Sequence, residues 1–533
     1  MAAPTGSLFS THGVRIEEII NKKIEMFLPT MDKVWEETIV SNQGVGSQDQ
    51  IGRDFLIVKT YMGGLSGVID PGGPGSDFTL YGDPMNTALG AKIHLQGLQS
   101  VFPDATLGPN ATPYRLACPM RSMVTNLMLT LGELQAEATD AFIGEVVQPK
   151  LEGFAKNLTQ YLCNYFYLSQ NTYYSLSYLG NTTAGQGYSL EDSNKTIVLD
   201  TTYSNYAVDR FMVGMRVQWY DSTGATQRTV TSSNSGSTFI VTAVDELSGK
   251  VKMKEAGNLA LNSTVFVSHL VANDIIVFAN SKGSSSTPYS ASPYFTGIAG
   301  INSWLKYGAG GDDNYLLGGE RAGTNSGYSG DIDVTVHPEF RSMTLNVGGN
   351  PLTEHYLRKV LRRWHAAKGK YGQTIDCLIA SDGVWLAYEA QKIGRQYYDR
   401  TGRRSSIDNE GSTGEFEFAF DGRTYTGCTS TWVDANTVYG IKKGGGNWKR
   451  YSPPDPRNVK KNEKLASWIP FRFVGSALTG TGSNQIPIFS IHSNRTFVTE
   501  GVQMPGFLRM QLVPEQPAGL RLTNVAEDRV YSA

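Results

Sequence analysis

The stretch from Leu131 to Gln170 carries the longest helical pattern in the chain, and it limits what the rest can be. It reads LGELQAEATDAFIGEVVQPKLEGFAKNLTQYLCNYFYLSQ, with Leu151, Phe154, Leu158, Leu162 and Tyr165 at three- and four-residue steps. That spacing lines one face of a helix with apolar side chains. Glu133, Glu137, Asp140 and Glu145 crowd the first half, where the positive end of the helix dipole favours them. Pro149 removes a backbone donor and crowds the preceding turn, so a kink or a split is expected there. Fully helical, such a stretch would span roughly 60 Å at about 1.5 Å per residue. A compact domain needs less, so the pattern reads as a spine for other elements, or else as a kinked core helix of a large domain.

The chain has 533 residues, room for two to four domains with sizeable cores. Charged residues make up 18%, below the usual ~25%, and the 58 glycines exceed an average share. A weakly charged, loop- and strand-rich chain suits large surfaces that meet other protein surfaces. The formal net charge of −2 supplies no overall basic field for nucleic acid. Cys118, Cys163, Cys377 and Cys428 form no CxxC, so buried free thiols of a reducing compartment are expected ahead of disulfides or metal ligands. The opening residues lack the charged and apolar segments of a signal peptide, and no long apolar run suggests a membrane span.

Residues 1–12 read as a flexible arm, followed by an amphipathic helix on Ile16, Ile19, Ile20, Ile24 and Phe27. Extended segments come next: strands Asp54–Tyr61 and Ala91–Gln96 flank a Gly- and Pro-rich passage, and strand Met123–Thr130 leads into the spine. Within residues 205–272, five short alternating runs (215–220, 227–230, 238–244, 250–253 and 265–269) suggest a small β-barrel inserted in a host domain. An α/β segment follows at 346–440. It holds a helix over Pro351–Lys368 with Gly369 as its cap, a buried strand Ile375–Ala380, and a second helix Asp382–Tyr398 carrying Trp385, Leu386, Tyr388 and Ile393. A hairpin then turns at Asp421-Gly422, and strand Thr437–Ile441 follows. The tail supplies strands 486–492 and 495–499 and a turn at Val502–Phe507.

Little in the sequence points to chemistry. The seven histidines include no HExxH and no pair at metal-ligand spacing, and GxSxG, GxxxxGK[ST] and GxGxxG after a strand are absent. No catalytic residue, metal site or cofactor is expected, and the chain is read as a non-enzyme.

The order of these parts resembles the major capsid proteins of tailed double-stranded-DNA bacteriophages, the Hong Kong 97-type fold. The passage TIDCLIASDGVW (374–385) is similar to the family's strand-then-Trp-helix, TGCTSTWVDANTVYG (426–440) to the strands that follow, and FSIHSNRTFVTEGVQMPGF (489–507) to its closing strands. The resemblance implies an α+β fold divided into an N-terminal arm (1–50), an extended β-ribbon loop (51–130) and a peripheral domain with the spine helix (131–204). After the inserted β-barrel (205–272) come a connecting segment (273–345), an axial α/β domain (346–440) and a return to the peripheral domain (441–533). It also implies self-assembly as hexamers and pentamers into an icosahedral head around double-stranded DNA, in a virion made in a bacterial cytoplasm. The partners implied are many identical copies, a separate scaffolding protein, a portal and cement or decoration proteins, with no membrane. Some relatives form Lys–Asn cross-links. The ribbon here offers only Lys59 and Lys92, and no cross-link is expected. An encapsulin-like nanocompartment shell, and a ligand-binding protein acting through the 205–272 insert, are the alternatives.

Two basic clusters fit that picture. Residues 341–404 hold Arg358, Arg362, Arg363, Arg395, Arg400, Arg403 and Arg404, and residues 442–464 hold Lys460 and Lys461. These are the candidate intersubunit contacts. Contact with packaged DNA, or plain solvated surface, would use the same residues.

Overall fold

The computed structural model describes residues 7–32, 34–35, 39–44, 56–63, 112–119, 121–130, 148–167, 169–170, 177–178, 180–181, 188–191, 196–200, 210–220, 227, 238–245, 248–255, 274–278, 299–316, 332–335, 337–396, 416–443, 448–452, 471–473, 490–491 and 501–528. Residues 58–117 and 324–332 form one compact unit and the remainder another. Strands Leu56–Gly63 and Thr112–Pro119 pair as a two-stranded ladder. The expected strand Ala91–Gln96 and the glycine-rich passage before it lie outside the described residues.

In the larger unit the first helix runs Ser7–Met31, so residues 7–12 are helical rather than a loose arm. No proline interrupts the run before Pro29. Ile20, Ile24 and Leu28 are buried, and Lys23 Nζ meets Glu152 Oε1 of the spine at 2.6 Å. The spine is described over Gln148–Tyr167; its acidic first half, residues 131–147, lies outside the described residues. Pro149 sits in the first turn of the described helix, where a missing N–H costs nothing. The kink or split expected there involves residues outside the described ones. Leu151, Leu158, Leu162 and Tyr165 of the expected stripe are buried, with Ala155 beside them, while Phe154 is half-buried.

The peripheral sheet hangs on strand Gly501–Pro514. It pairs antiparallel with Arg121–Thr130 from Gly501↔Thr130 to Met510↔Arg121. Its other edge meets Phe471–Phe473 and Ser490–Ile491, and its end meets Trp448–Ser452, itself parallel to Ile39–Gly44. The turn expected at Val502–Phe507 is therefore strand. Pro505 lacks an N–H, but it falls between the pairings at 502–503 and 506–508, so no ladder bond is lost on that edge. Ten paired residues on the opposite edge outweigh the local Pro-Gly signal.

The β insert is an antiparallel seven-stranded sheet, and it is wider than 205–272. Strands Gly180–Asn181, Tyr188–Glu191, Thr196–Asp200 and Ile275–Phe278 join Arg216–Tyr220, Thr238–Asp245 and Lys250–Glu255. Its strand order is an open path from Gly180–Asn181 to Tyr188–Glu191, not a closed barrel among the described residues. The expected strand 265–269 lies outside them.

The α/β unit is a six-stranded sheet in the order Met343–Asn350, Leu520–Val525, Val438–Ile441, Cys377–Ala380, Arg423–Thr429, Phe416–Phe420. The chain's return thus ends in this sheet and not in the peripheral one, because Leu520, Leu522 and Val525 are buried in the α/β core. That core also takes Leu357, Leu361 and Trp364 from helix Glu354–Lys368 and Val384, Trp385 and Tyr388 from helix Asp382–Gln396. Thr353 caps the first helix, its side chain accepting from Tyr356 N at 3.1 Å. Gly369 ends that helix in right-handed conformation; the left-handed residue is Gly372, after a 3-10 turn. Asp421 and Gly422 both adopt positive φ, the backbone a two-residue hairpin of this twist demands. Leu386, among the apolar residues that helix Asp382–Gln396 carries, is 43% exposed.

Candidate functional site: a buried junction and a charged surface

Three parts of the chain meet where the spine ends. Phe166 packs against Trp35 (5.7 Å between ring centroids), Tyr167 (4.8 Å) and Trp448 (5.5 Å), joining the first helix, the spine and the peripheral sheet. Gly300 allows the neighbouring turn to approach, since a Cβ there would stand 2.3 Å from the Phe166 carbonyl oxygen. Beside these rings lies Arg210, 0% exposed. Its Nη1 is 2.7 Å from Asp434 Oδ1, its Nε donates to the Trp432 carbonyl at 2.8 Å, and its Nη2 donates to the carbonyls of Tyr167 (2.8 Å) and Trp432 (2.6 Å). Asn164 of the spine donates to the Arg210 carbonyl at 2.8 Å. The Asp434 carboxylate also accepts from the Tyr439 hydroxyl at 2.6 Å, which in turn accepts from Asn302 Nδ2 at 2.9 Å. Burial and the Asp434 charge push the Tyr439 phenol well above its ordinary pKa, keeping it a donor. A fully desolvated guanidinium is tolerable only with close partners. Here Nε and Nη2 are hydrogen-bonded, while Nη1 faces the Asp434 carboxylate as an ion pair without an aligned hydrogen bond. The arrangement holds the spine, the β insert and the α/β unit in one register.

Asp32, just past the first helix, is buried against the same junction and accepts from Val34 N at 3.1 Å. Burial pushes its carboxyl up to about 7, although hydrogen bonding to Tyr167, Val34 and Ser430 favours the charged form. Cys163 and Tyr167 are themselves raised by burial and by the nearby Asp32 charge. None of these residues carried a sequence signal beyond Arg210 standing before the apolar run Phe211-Met212-Val213.

The candidate contacts divide. Arg358, Arg362 and Arg363 are exposed on helix Glu354–Lys368, as their spacing implies. Arg358 pairs with Glu354 at 2.5 Å, and the guanidiniums of Arg358 and Arg362 lie 5.8 and 5.4 Å from the Phe420 ring. Arg423 Nη1 is 3.1 Å from His365 Nδ1, and His365 Nε2 is 2.6 Å from the Tyr425 hydroxyl. Burial and the Arg423 charge lower the His365 pKa, so the neutral ring accepts from Arg423 and donates to Tyr425. Arg395 lies in helix Asp382–Gln396 with its side chain outside the described residues; Arg400, Arg403, Arg404, Lys460 and Lys461 lie outside them altogether. Cys163, Cys377 and Cys428 are buried and free, with the Sγ atoms of Cys377 and Cys428 3.2 Å apart. Among the described residues no group of three potential ligands could hold a metal, and no helix is long and apolar enough to cross a membrane.

No family model matches the sequence, and comparison with curated proteins finds no significant relative. Solved structures do match. Phage capsid chains are among them. One from the cyanophage A-1(L) capsid asymmetric unit is 10% identical, with 93% of each chain covered and a TM-score of 0.37. A chain of Mycobacterium phage Patience is 8% identical, covering 96% of this chain and 90% of that one, at a TM-score of 0.29. A holo-encapsulin complex from Synechococcus elongatus is 10% identical over 36% of this chain and 55% of its own, at 0.21.

Proposed function

We propose that the chain is the shell-forming subunit of a tailed-phage head, assembling as hexamers and pentamers around double-stranded DNA. The observation that carries this reading is the way the larger unit is closed. Strand Gly501–Pro514 returns to pair with Arg121–Thr130, so the sheet beside the spine is built from distant parts of the chain with the α/β unit strung between. That order of arm, ribbon, spine, α/β unit and return is the one the capsid resemblance implies. No catalytic constellation competes with it among the described residues. The arginine surface of helix Glu354–Lys368 would serve contacts between copies, and the ribbon beginning at Leu56 would lie across a neighbour. A separate scaffolding protein, a portal and cement proteins complete the expected partners, in a virion made in the bacterial cytoplasm.

Negative-stain electron microscopy of the purified chain, with mass by light scattering, tests the reading. Rings, sheets or shells of repeating capsomers are expected. A chain still monomeric at 58.2 kDa with its scaffolding protein co-expressed would end it.

A further inference from the structure

The α/β unit carries exposed side chains of opposite charge on its two helices, Glu354–Lys368 and Asp382–Gln396. Helix Glu354–Lys368 leans over the Phe416–Phe420 edge, as its contacts with Phe420 and Tyr425 establish. Lys359, Arg362, Arg363 and Arg423 are exposed there, against Asp421. Helix Asp382–Gln396 shares the same core, with Trp385 Nε1 donating to the Cys428 carbonyl of strand Arg423–Thr429 at 3.0 Å, and further ties reach toward the far edge. Gln391 Nε2 donates to the carbonyl of Leu352, just past edge strand Met343–Asn350, and Asp528 N donates to the Gly383 carbonyl, just past Leu520–Val525. Asp382, Glu389 and Asp528 are exposed on that side, with Leu386 in water among them.

We propose that the arginine face of one copy docks on the acidic face around Leu386 of the next copy. The inference rests on the shell reading and names the surface that joins neighbours within a ring. Charge complementarity chooses the occupant: the whole chain is nearly neutral at −2, while the exposed Lys359, Arg362, Arg363 and Arg423 are opposite in sign to the exposed Asp382, Glu389 and Asp528. A two-fold dimer would set like charges against each other, whereas head-to-tail contact sets cation against carboxylate at every joint and can close. Because the two sets of charges sit on different helices, one copy can use both at once. Stacking on Phe420 holds the Arg362 guanidinium in place before contact, which lowers the ordering cost of binding. Leu386 supplies the apolar centre that a charged rim would surround.

The test uses the full chain, assembled with its scaffolding protein where that is needed and followed by light scattering and electron microscopy. Reversing one face (Arg362→Glu with Arg363→Glu) or the other (Glu389→Arg with Asp528→Arg) should raise the concentration needed for rings at least ~tenfold. The melting temperature of the monomer should hold. All four substitutions in one chain should restore assembly, and high salt should weaken the wild type. Should a reversal fail to fold, Arg363→Gln and Glu389→Gln replace it and are read the same way. Wild-type rings with every variant assembling equally well would overturn this contact and leave the shell reading standing. A wild-type chain that never assembles would overturn both.

Discussion

At Arg210 a full charge has been drawn out of water, and its whole environment is arranged around that cost. Three hydrogen bonds to carbonyls take Nε and Nη2, and the Asp434 carboxylate compensates the charge at Nη1. Removing one partner of such a pair strands the other, so Arg210→Ala and Asp434→Ala should each cost about 3–5 kcal/mol, read as a loss in urea-unfolding free energy. Arg210→Lys should be nearly as damaging, since one ammonium cannot reach Trp432, Tyr167 and Asp434 together. Asp32 behaves differently. Its folded pKa of about 7 lies above the ordinary value of 3.8, so the folded state binds the proton more tightly. Stability contributed by the protonated form is present below pH 4 and is lost as pH rises toward 7, on the order of 4 kcal/mol at most. Asp32→Asn should therefore raise the melting temperature at pH 8 and leave it nearly unchanged at pH 4. Equal effects at both pH values would remove Asp32 as the titrating group, since Cys163 and Tyr167 are pushed up and stay protonated across this range. Neither residue was legible in the sequence, because a buried charge is defined by partners hundreds of positions away.

Elements whose signal is local were read closely. The spine's apolar stripe, the 354–368 helix and the Asp421-Gly422 hairpin follow from periodicity and turn chemistry within a few residues. Elements defined by distant pairing were not. Strand Gly501–Pro514 looks like a turn around Pro505 until Arg121–Thr130 is laid beside it, and Leu386 looks like core until the helix's buried face is fixed by Trp385 and Tyr388. The β insert shows the same limit, since its strands Thr196–Asp200 and Ile275–Phe278 pair with strands inside 205–272 from outside it. Phe278 also packs on Tyr161 and Tyr165 of the spine, at 5.2 and 4.8 Å, and Arg210 lies within the segment. Excising residues 205–272 would thus strip two strands of their partners and remove the junction arginine. The excised chain should be insoluble or molten, with lost near-UV circular dichroism; a soluble, cooperatively melting product would show the insert to be a free appendage. Gly300→Ala should cost roughly 3 kcal/mol, because the clash it creates is with spine backbone rather than with a side chain that can turn away.

Across the whole molecule, the final described stretch finishes two sheets in succession. Gly501–Pro514 completes the peripheral sheet, and Leu520–Val525 then enters the α/β sheet between Met343–Asn350 and Val438–Ile441. A chain emerging from the ribosome can complete neither sheet until those last strands arrive, and such long-range pairing is intrinsically slow to form. Exposed edges during that interval are the hazard this topology carries. Nested truncations separate the two closures. A chain ending at Glu515 keeps the partner of Arg121–Thr130 but loses the strand that bridges the α/β sheet. Hydrogen exchange should then find amides of the peripheral ladder protected and those of Met343–Asn350 and Val438–Ile441 exchanging freely. A chain ending at Glu500 should lose protection in both. If the α/β amides stayed protected in the chain ending at Glu515, Leu520–Val525 would be a late addition to a sheet already stable without it. The order of closure would then be set by the helices packed on Trp364 and Trp385 rather than by the returning strand.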